Sequence, residues 1–99
     1  MSYEIIVRAE AEEELNSAVV WYEKQRRGLG NYFLIHVTAC FSDIERNPNQ
    51  YALVYKEIRM AVLRRFPYSV YYLVDDKTIR IIGILHHKRN RRKILRRRK

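Results

Sequence analysis

Three apolar, β-prone runs crowded into residues 60–92 constrain this chain more than anything else in it. They span residues 60–66, 69–74 and 78–85. Phe66-Pro67-Tyr68 divides the first two, because proline cannot donate to a sheet ladder and sits best at a strand end. Asp75-Asp76-Lys77 divides the second and third, a short polar link of the hairpin kind. The last two runs are apolar on both alternating faces. Val70, Tyr72 and Val74 oppose Tyr71 and Leu73; Ile79, Ile81, Gly83 and Leu85 oppose Ile82 and Ile84. Strands of that type are covered on both sides or lie mid-sheet. These two runs are therefore the expected centre of a sheet.

The rest of the chain must cover that sheet. Tyr3-Glu4-Ile5-Ile6-Val7 reads as a first short strand. Glu10, Glu12, Glu13 and Glu14 then cluster in the first turns of a helix, where the positive end of its dipole favours carboxylates. Ala11, Leu15, Ala18 and Tyr22 form one apolar stripe along it, and Gly28 is the expected stop after Arg26 and Arg27. A second helix is expected from Gly30-Asn31, with Asn31 as N-cap and Leu34, Val37, Phe41 and Ile44 as its stripe. Asn47-Pro48 ends it. The short link makes the two helices an antiparallel hairpin. Residues 51–58 read as an irregular strand. Strand, helix, helix, then strands only is an α+β order: a helical hairpin on one face of a mainly antiparallel sheet of four to five strands. Residues 1–93 are expected to form one domain and residues 94–99 a basic tail.

Charge is divided unevenly along the 99 residues, whose net formal charge is +9. Residues 1–50 hold 5 basic and 8 acidic side chains, a balance of −3; residues 51–99 hold 15 and 3, a balance of +12. A chain split this way offers a positive surface to a polyanion or an acidic protein. Cys40 stands alone, so no intrachain disulfide framework exists, and its apolar helical setting reads as a buried small side chain. No apolar run approaches membrane-spanning length and no signal-type segment opens the chain, so the expectation is a cytoplasmic protein without a membrane partner.

The chemistry-bearing candidates are few. Arg59, Arg64, Arg65, Arg80, Lys88, Arg89, Arg91, Arg92 and Lys93, interleaved with Tyr51, Tyr55, Tyr68, Tyr71 and Tyr72, fit phosphate contacts with base stacking. Many charge runs are only a solvated face, and an acidic partner would fit the same surface. His86 and His87 are candidate acid/base groups, but neighbours on a strand point to opposite faces, so one site takes at most one of them. Neither His36 nor Cys40 gives them zinc-like spacing, so no metal and no cofactor is expected. Phosphate-cradling glycine loops and nucleophile elbows are missing from the sequence, which removes most kinase-like and acyl-transfer chemistry.

Trp21-Tyr22-Glu23, Gly28-Leu29-Gly30 with Phe33-Leu34, the helix end at Ile44…Pro48, Arg64-Arg65-Phe66-Pro67-Tyr68-Ser69-Val70-Tyr71-Tyr72 and Leu85-His86…Arg89 form a combination. Together, over roughly residues 3–93, they resemble the RelE/ParE superfamily of toxins from bacterial type II toxin–antitoxin modules, in its ParE-like, plasmid-stabilisation branch. The resemblance implies the α+β fold read above. It also implies a cognate antitoxin with an acidic segment that folds on binding. For the ParE-like branch it implies inhibition of DNA gyrase; for the RelE-like branch, ribosome-dependent cleavage of mRNA. The ribonucleases look to carry an arginine where this chain has Ser69, and a tyrosine or histidine near the C-terminus where it has Leu95. Losing that arginine removes charge stabilisation that phosphodiester cleavage needs. The gyrase reading leads. In the alternative, Arg65 and Arg89 hold phosphate while His86 or His87 moves protons. A third reading is an inactive homologue or a plain nucleic-acid-binding module.

Overall fold

The computed structural model describes residues 3–97. Its elements are β1 (Glu4–Val7), α1 (Ala9–Gln25), α2 (Leu29–Arg46), β2 (Leu53–Tyr55), β3 (Ile58–Val62), β4 (Tyr68–Asp75), β5 (Thr78–His86) and α3 (Arg92–Leu95). One five-stranded sheet has the order β1-β5-β4-β3-β2. Every neighbouring pair is antiparallel except β1 with β5, which run parallel from Glu4↔Thr78 to Val7↔Ile81. The two runs that are apolar on both faces are β4 and β5, and each has a strand on either side.

The sheet is covered on both faces, which explains that two-sided pattern. Ala61, Val70, Tyr72, Ile79, Ile81 and Ile84 pack under α1 and α2 against Ala11, Ala18, Phe33, Val37 and Ile44. Ile58, Tyr71, Leu73 and Ile82 face the other way and are capped by Ile94 of α3. A register shift in β5 opposite Tyr71/Tyr72 interrupts the expected alternation, so Ile84 joins Ile79 and Ile81 in the helix-covered core while Leu85 packs with Ile82 on the other face. Of the basic tail expected at residues 94–99, residues 98–99 lie outside the described residues, while residues 94–97 are thus part of the packing: Ile94 is 1% exposed. The reason is Gly83. A Cβ there would stand 2.5 Å from Ile94 Cδ1, so only glycine leaves the recess that the isoleucine fills. Ile94→Ala is expected to lower the urea unfolding free energy by about 2 kcal/mol, near the low end for such truncations because four-residue α3 can release locally. Faster amide exchange confined to residues 92–97 would accompany it.

The helix boundary between α1 and α2 is built differently from the expectation of an Asn31 cap. Gly28 adopts φ 89°, the left-handed turn that glycine favours, and α2 begins at Leu29. Its free amides are met by Glu23 from the preceding helix, whose carboxylate accepts from Gly28 N at 3.0 Å and Gly30 N at 3.0 Å. Gly30 lets the helices close up, since a Cβ there would stand 2.6 Å from the Val19 carbonyl oxygen.

Burial also sets how the fold responds to base. Desolvation, with Asp43 adding to it, pushes the Cys40 thiol up to about 12. Tyr72 is raised mainly by desolvation, only partly offset by Arg59, and donates its hydroxyl to Pro48 O at 2.6 Å. Both groups bind their proton more tightly folded than unfolded. Their contribution is intact below the unfolded values, roughly 8.5 for Cys and 10 for Tyr, and is lost as pH rises above them. Urea midpoints are therefore expected to be level near pH 8 and to fall above about pH 9, each deprotonating group adding a slope of about 1.4 kcal/mol per pH unit.

Candidate functional site

Three turns meet at one end of the sheet, where β3 and β5 finish and β4 begins. Phe66, in the β3–β4 turn, is the nail that joins them. Tyr22 of α1 lies 4.9 Å from its ring and Phe33 of α2 lies 5.0 Å away, with Tyr32 and His36 beside them. Phe33 also stacks on Tyr68 at 5.0 Å. The turn after β5 is tied to the same place, because His87 N donates to Pro67 O at 2.8 Å. Buried aromatic contacts therefore hold the α1–α2 turn, the β3–β4 turn and residues 87–89 together. Desolvation raises the Tyr68 phenol, and Arg89 nearby partly reverses the shift.

This geometry sorts the arginines and lysines read from the sequence. Arg64 and Arg65 precede Phe66, and Lys88 and Arg89 follow β5; all four are exposed at this end. Arg91, Arg92 and Lys93 continue onto the α3 side, where Arg91 Nη1 reaches Met60 Sδ at 3.8 Å. Among the described residues none of these seven is within ion-pairing distance of a carboxylate. Arg59 and Arg80 do not belong to the group. Arg59 shares the helix-covered face with Ala61 and donates to Asn49 O at 3.2 Å and Tyr51 O at 2.5 Å, a structural brace for the loop before β2. Arg80 sits toward the opposite end of β5 and pairs with Asp75 at 3.7 Å. Tyr71 and Tyr72 are buried in the two cores and offer no ring for stacking.

His86, the last residue of β5, and His87, in the turn that follows, take different partners. His86 packs edge-on to Tyr68 at 5.1 Å, and its Nδ1 accepts from Lys88 N at 3.0 Å. His87 instead lies with Ser69, Nε2 to Oγ 2.9 Å. Ser69 itself is 1% exposed.

Beside the cationic end runs a groove of about 620 Å³ between α1 and the last turn of β5. It is lined by Glu10, Glu13, Glu14, Ala18 and Trp21 of α1 and by Tyr68, Ile84, Leu85, His86, Lys88, Arg89 and Arg97. It exists because β1 stops at Val7, opposite Ile81, and leaves the outer edge of β5 without a strand beyond that point. Glu14 and Arg97 occupy the edge instead. Ile84 N donates to Glu14 Oε1 at 3.1 Å, and Arg97 Nη1 donates to Ile82 O at 3.0 Å and to Glu14 at 3.1 Å. Arg8 Nη1 donates to Arg97 O at 2.7 Å and closes the loop. Sequence reasoning missed Glu14, Arg97 and Trp21 as groove residues. Only Trp21 gave a signal: it stands beside the Ala18/Tyr22 stripe rather than on it, and is 56% exposed. No group of three or more His, Cys, Asp or Glu among the described residues is placed to hold a metal ion, and no described helix is long and apolar enough to cross a membrane.

No curated protein sequence matches the chain. Its fold is similar to that of a chain from the chromosomal ParDE TA system from P. aeruginosa, with a TM-score of 0.76 at 18% identity, covering 85% of this chain and 95% of that one. The family model for the ParE toxin of the type II toxin–antitoxin system parDE matches residues 5–91, which takes in α1, α2 and all of the sheet but Glu4. The chain belongs to the ParE toxin family.

Proposed function

We propose that this protein is a toxin that inhibits DNA gyrase in the cytoplasm and is silenced by a cognate antitoxin. The observation that carries the choice of target is Ser69. Where the resemblance places an arginine in the ribosome-dependent ribonucleases, this chain has a buried hydroxyl bonded to His87 at 2.9 Å. Cleavage of a phosphodiester develops negative charge that fixed cations must stabilise, and a buried serine supplies none. His86 lines the groove with Arg89 while His87 lies with Ser69, an arrangement that favours holding a partner over paired acid/base work. The cationic end, from Arg64 and Arg65 to Lys88 through Lys93, is better suited to gripping a macromolecule than to reacting with one.

The antitoxin enters through the groove. An acidic segment that folds on binding needs apolar surface to offset its ordering entropy, and Trp21 and Leu85 supply it beside Lys88 and Arg89. Induced expression without antitoxin tests the target directly. Filamentation and double-strand breaks with intact mRNA are expected; rapid loss of translated mRNA would replace gyrase with the ribosome, and unhindered growth would mean an inactive homologue. A tenfold drop in antitoxin affinity on Trp21→Ala, measured by calorimetry, is the expected mark of the groove as its seat.

A further inference from the structure

The cationic end is larger than the sequence pattern showed, because the tip of the helical hairpin contributes to it. Tyr22 lies 4.9 Å from Phe66 and 6.0 Å from Tyr68, so α1 finishes over the same end of the sheet. Arg26 and Arg27 follow one turn later and are both exposed. Their one acidic neighbour in the turn, Glu23, is committed to the amides of Gly28 and Gly30. Three separate turns thus present Arg26, Arg27, Arg64, Arg65, Lys88 and Arg89 together. The other end of the sheet is balanced: Glu4, Glu57, Asp75 and Asp76 sit there with Lys56, Lys77 and Arg80. The domain is electrically lopsided along its strands.

We infer that this end is a binding site for the phosphate backbone of duplex DNA, contacted by the toxin itself and without regard to base sequence. The inference stands apart from the gyrase reading, since it concerns direct contact with nucleic acid. Three features favour DNA over an acidic peptide. The six cations sit on rigidly joined turns of a molecule only 39 Å in its longest dimension, about the length of one helical turn of duplex. A duplex presents a charge every ~1.7 Å along its axis, so such a spread of cations finds partners without any folding of the ligand. Finally, the anchoring ring at this end, Phe66, is buried, so apolar contact there falls to Tyr32 and Val62 and a disordered peptide has less to fold against than in the groove. The groove, with its exposed Trp21, is the place for a peptide; the end is the place for a polyanion that is already rigid. Tyr68, half-buried against His86, is a poor platform for base stacking, which favours duplex over single strand.

The test is fluorescence anisotropy of a labelled 20-base-pair duplex with the purified full chain, titrated over a range of salt. With about six phosphate contacts, the log–log slope of affinity against salt is expected near −5, a loss of roughly 10³-fold between ~50 and ~200 mM. Arg26→Ala/Arg64→Ala/Arg65→Ala should bring the slope to about −3, and Arg64→Ala alone should change it by about 0.9. Lys77→Ala, at the opposite end, should leave it unchanged. A flat salt response, equal weakening by Lys77→Ala, or poly-glutamate binding as tightly as the duplex would overturn the inference. Gyrase inhibition scored on the same preparations separates the two readings, because a toxin that blocks the enzyme yet ignores free duplex refutes only the DNA contact.

Discussion

Phe33→Ala is expected to lower the unfolding free energy by about 3–5 kcal/mol, the largest stability effect of any single truncation considered in this fold. The ring is fully buried and touches Tyr22, Phe66 and Tyr68 with centroids 5.0 Å away in each case. Truncation removes its transfer free energy, leaves a cavity and forfeits three aromatic pairs worth about 0.5–1.5 kcal/mol each. A domain of this size has only about 5–15 kcal/mol to lose. The consequence reaches function, because the same ring joins the hairpin tip to the β3–β4 turn and so fixes Arg26 and Arg27 relative to Arg64 and Arg65. Urea unfolding checks the magnitude. A loss below about 1 kcal/mol, or unchanged growth arrest from a variant with that loss, would show that the aromatic cluster does not hold the functional end together.

The second large effect is on activity with stability untouched. Arg65→Ala/Arg89→Ala is expected to relieve toxicity on induced expression, with at least ~100-fold weaker target inhibition, or about 2.7 kcal/mol at 1.36 kcal/mol per tenfold. Both side chains are exposed and, among the described residues, neither has a carboxylate partner, so the fold loses nothing specific when they go. Surface changes of that kind usually shift stability by less than about 0.5 kcal/mol. Removing two like charges from a crowded end also relieves self-repulsion. The thermal midpoint should therefore stay level or rise slightly while growth recovers. Full toxicity in the double variant would remove the cationic end from the mechanism.

What could be read from the sequence follows from what each signal encodes. Alternation and helical periodicity report local burial, so β4, β5 and both helices were legible, as was the segregated α+β order. Pairing is not local. Nothing in Tyr3–Val7 announces that it joins β5 in parallel, or that its early stop leaves an edge for Glu14 and Arg97 to fill. A run of basic residues hides the one that is structural, since Arg97 looks in sequence like its neighbours. Ile94 was passed over for the same reason: its recess is made by Gly83, eleven residues upstream in another element. The arginine set suffered in the other direction. Arg59 and Arg80 carry the same charge as Arg64 and Arg65, yet their places in the strands send one under the helices and the other to the charge-balanced end. Arg26 and Arg27 read as an ordinary helix terminus until Tyr22 and Phe66 are seen in contact.

DNA supercoiling by purified gyrase, assayed with the wild-type chain and with Arg65→Ala/Arg89→Ala beside a ribosome-dependent mRNA cleavage reaction, tests the account most directly. The account predicts that wild type stops supercoiling, that the double variant does not, and that the mRNA stays whole. Undisturbed supercoiling together with mRNA cut in the presence of ribosomes would contradict it.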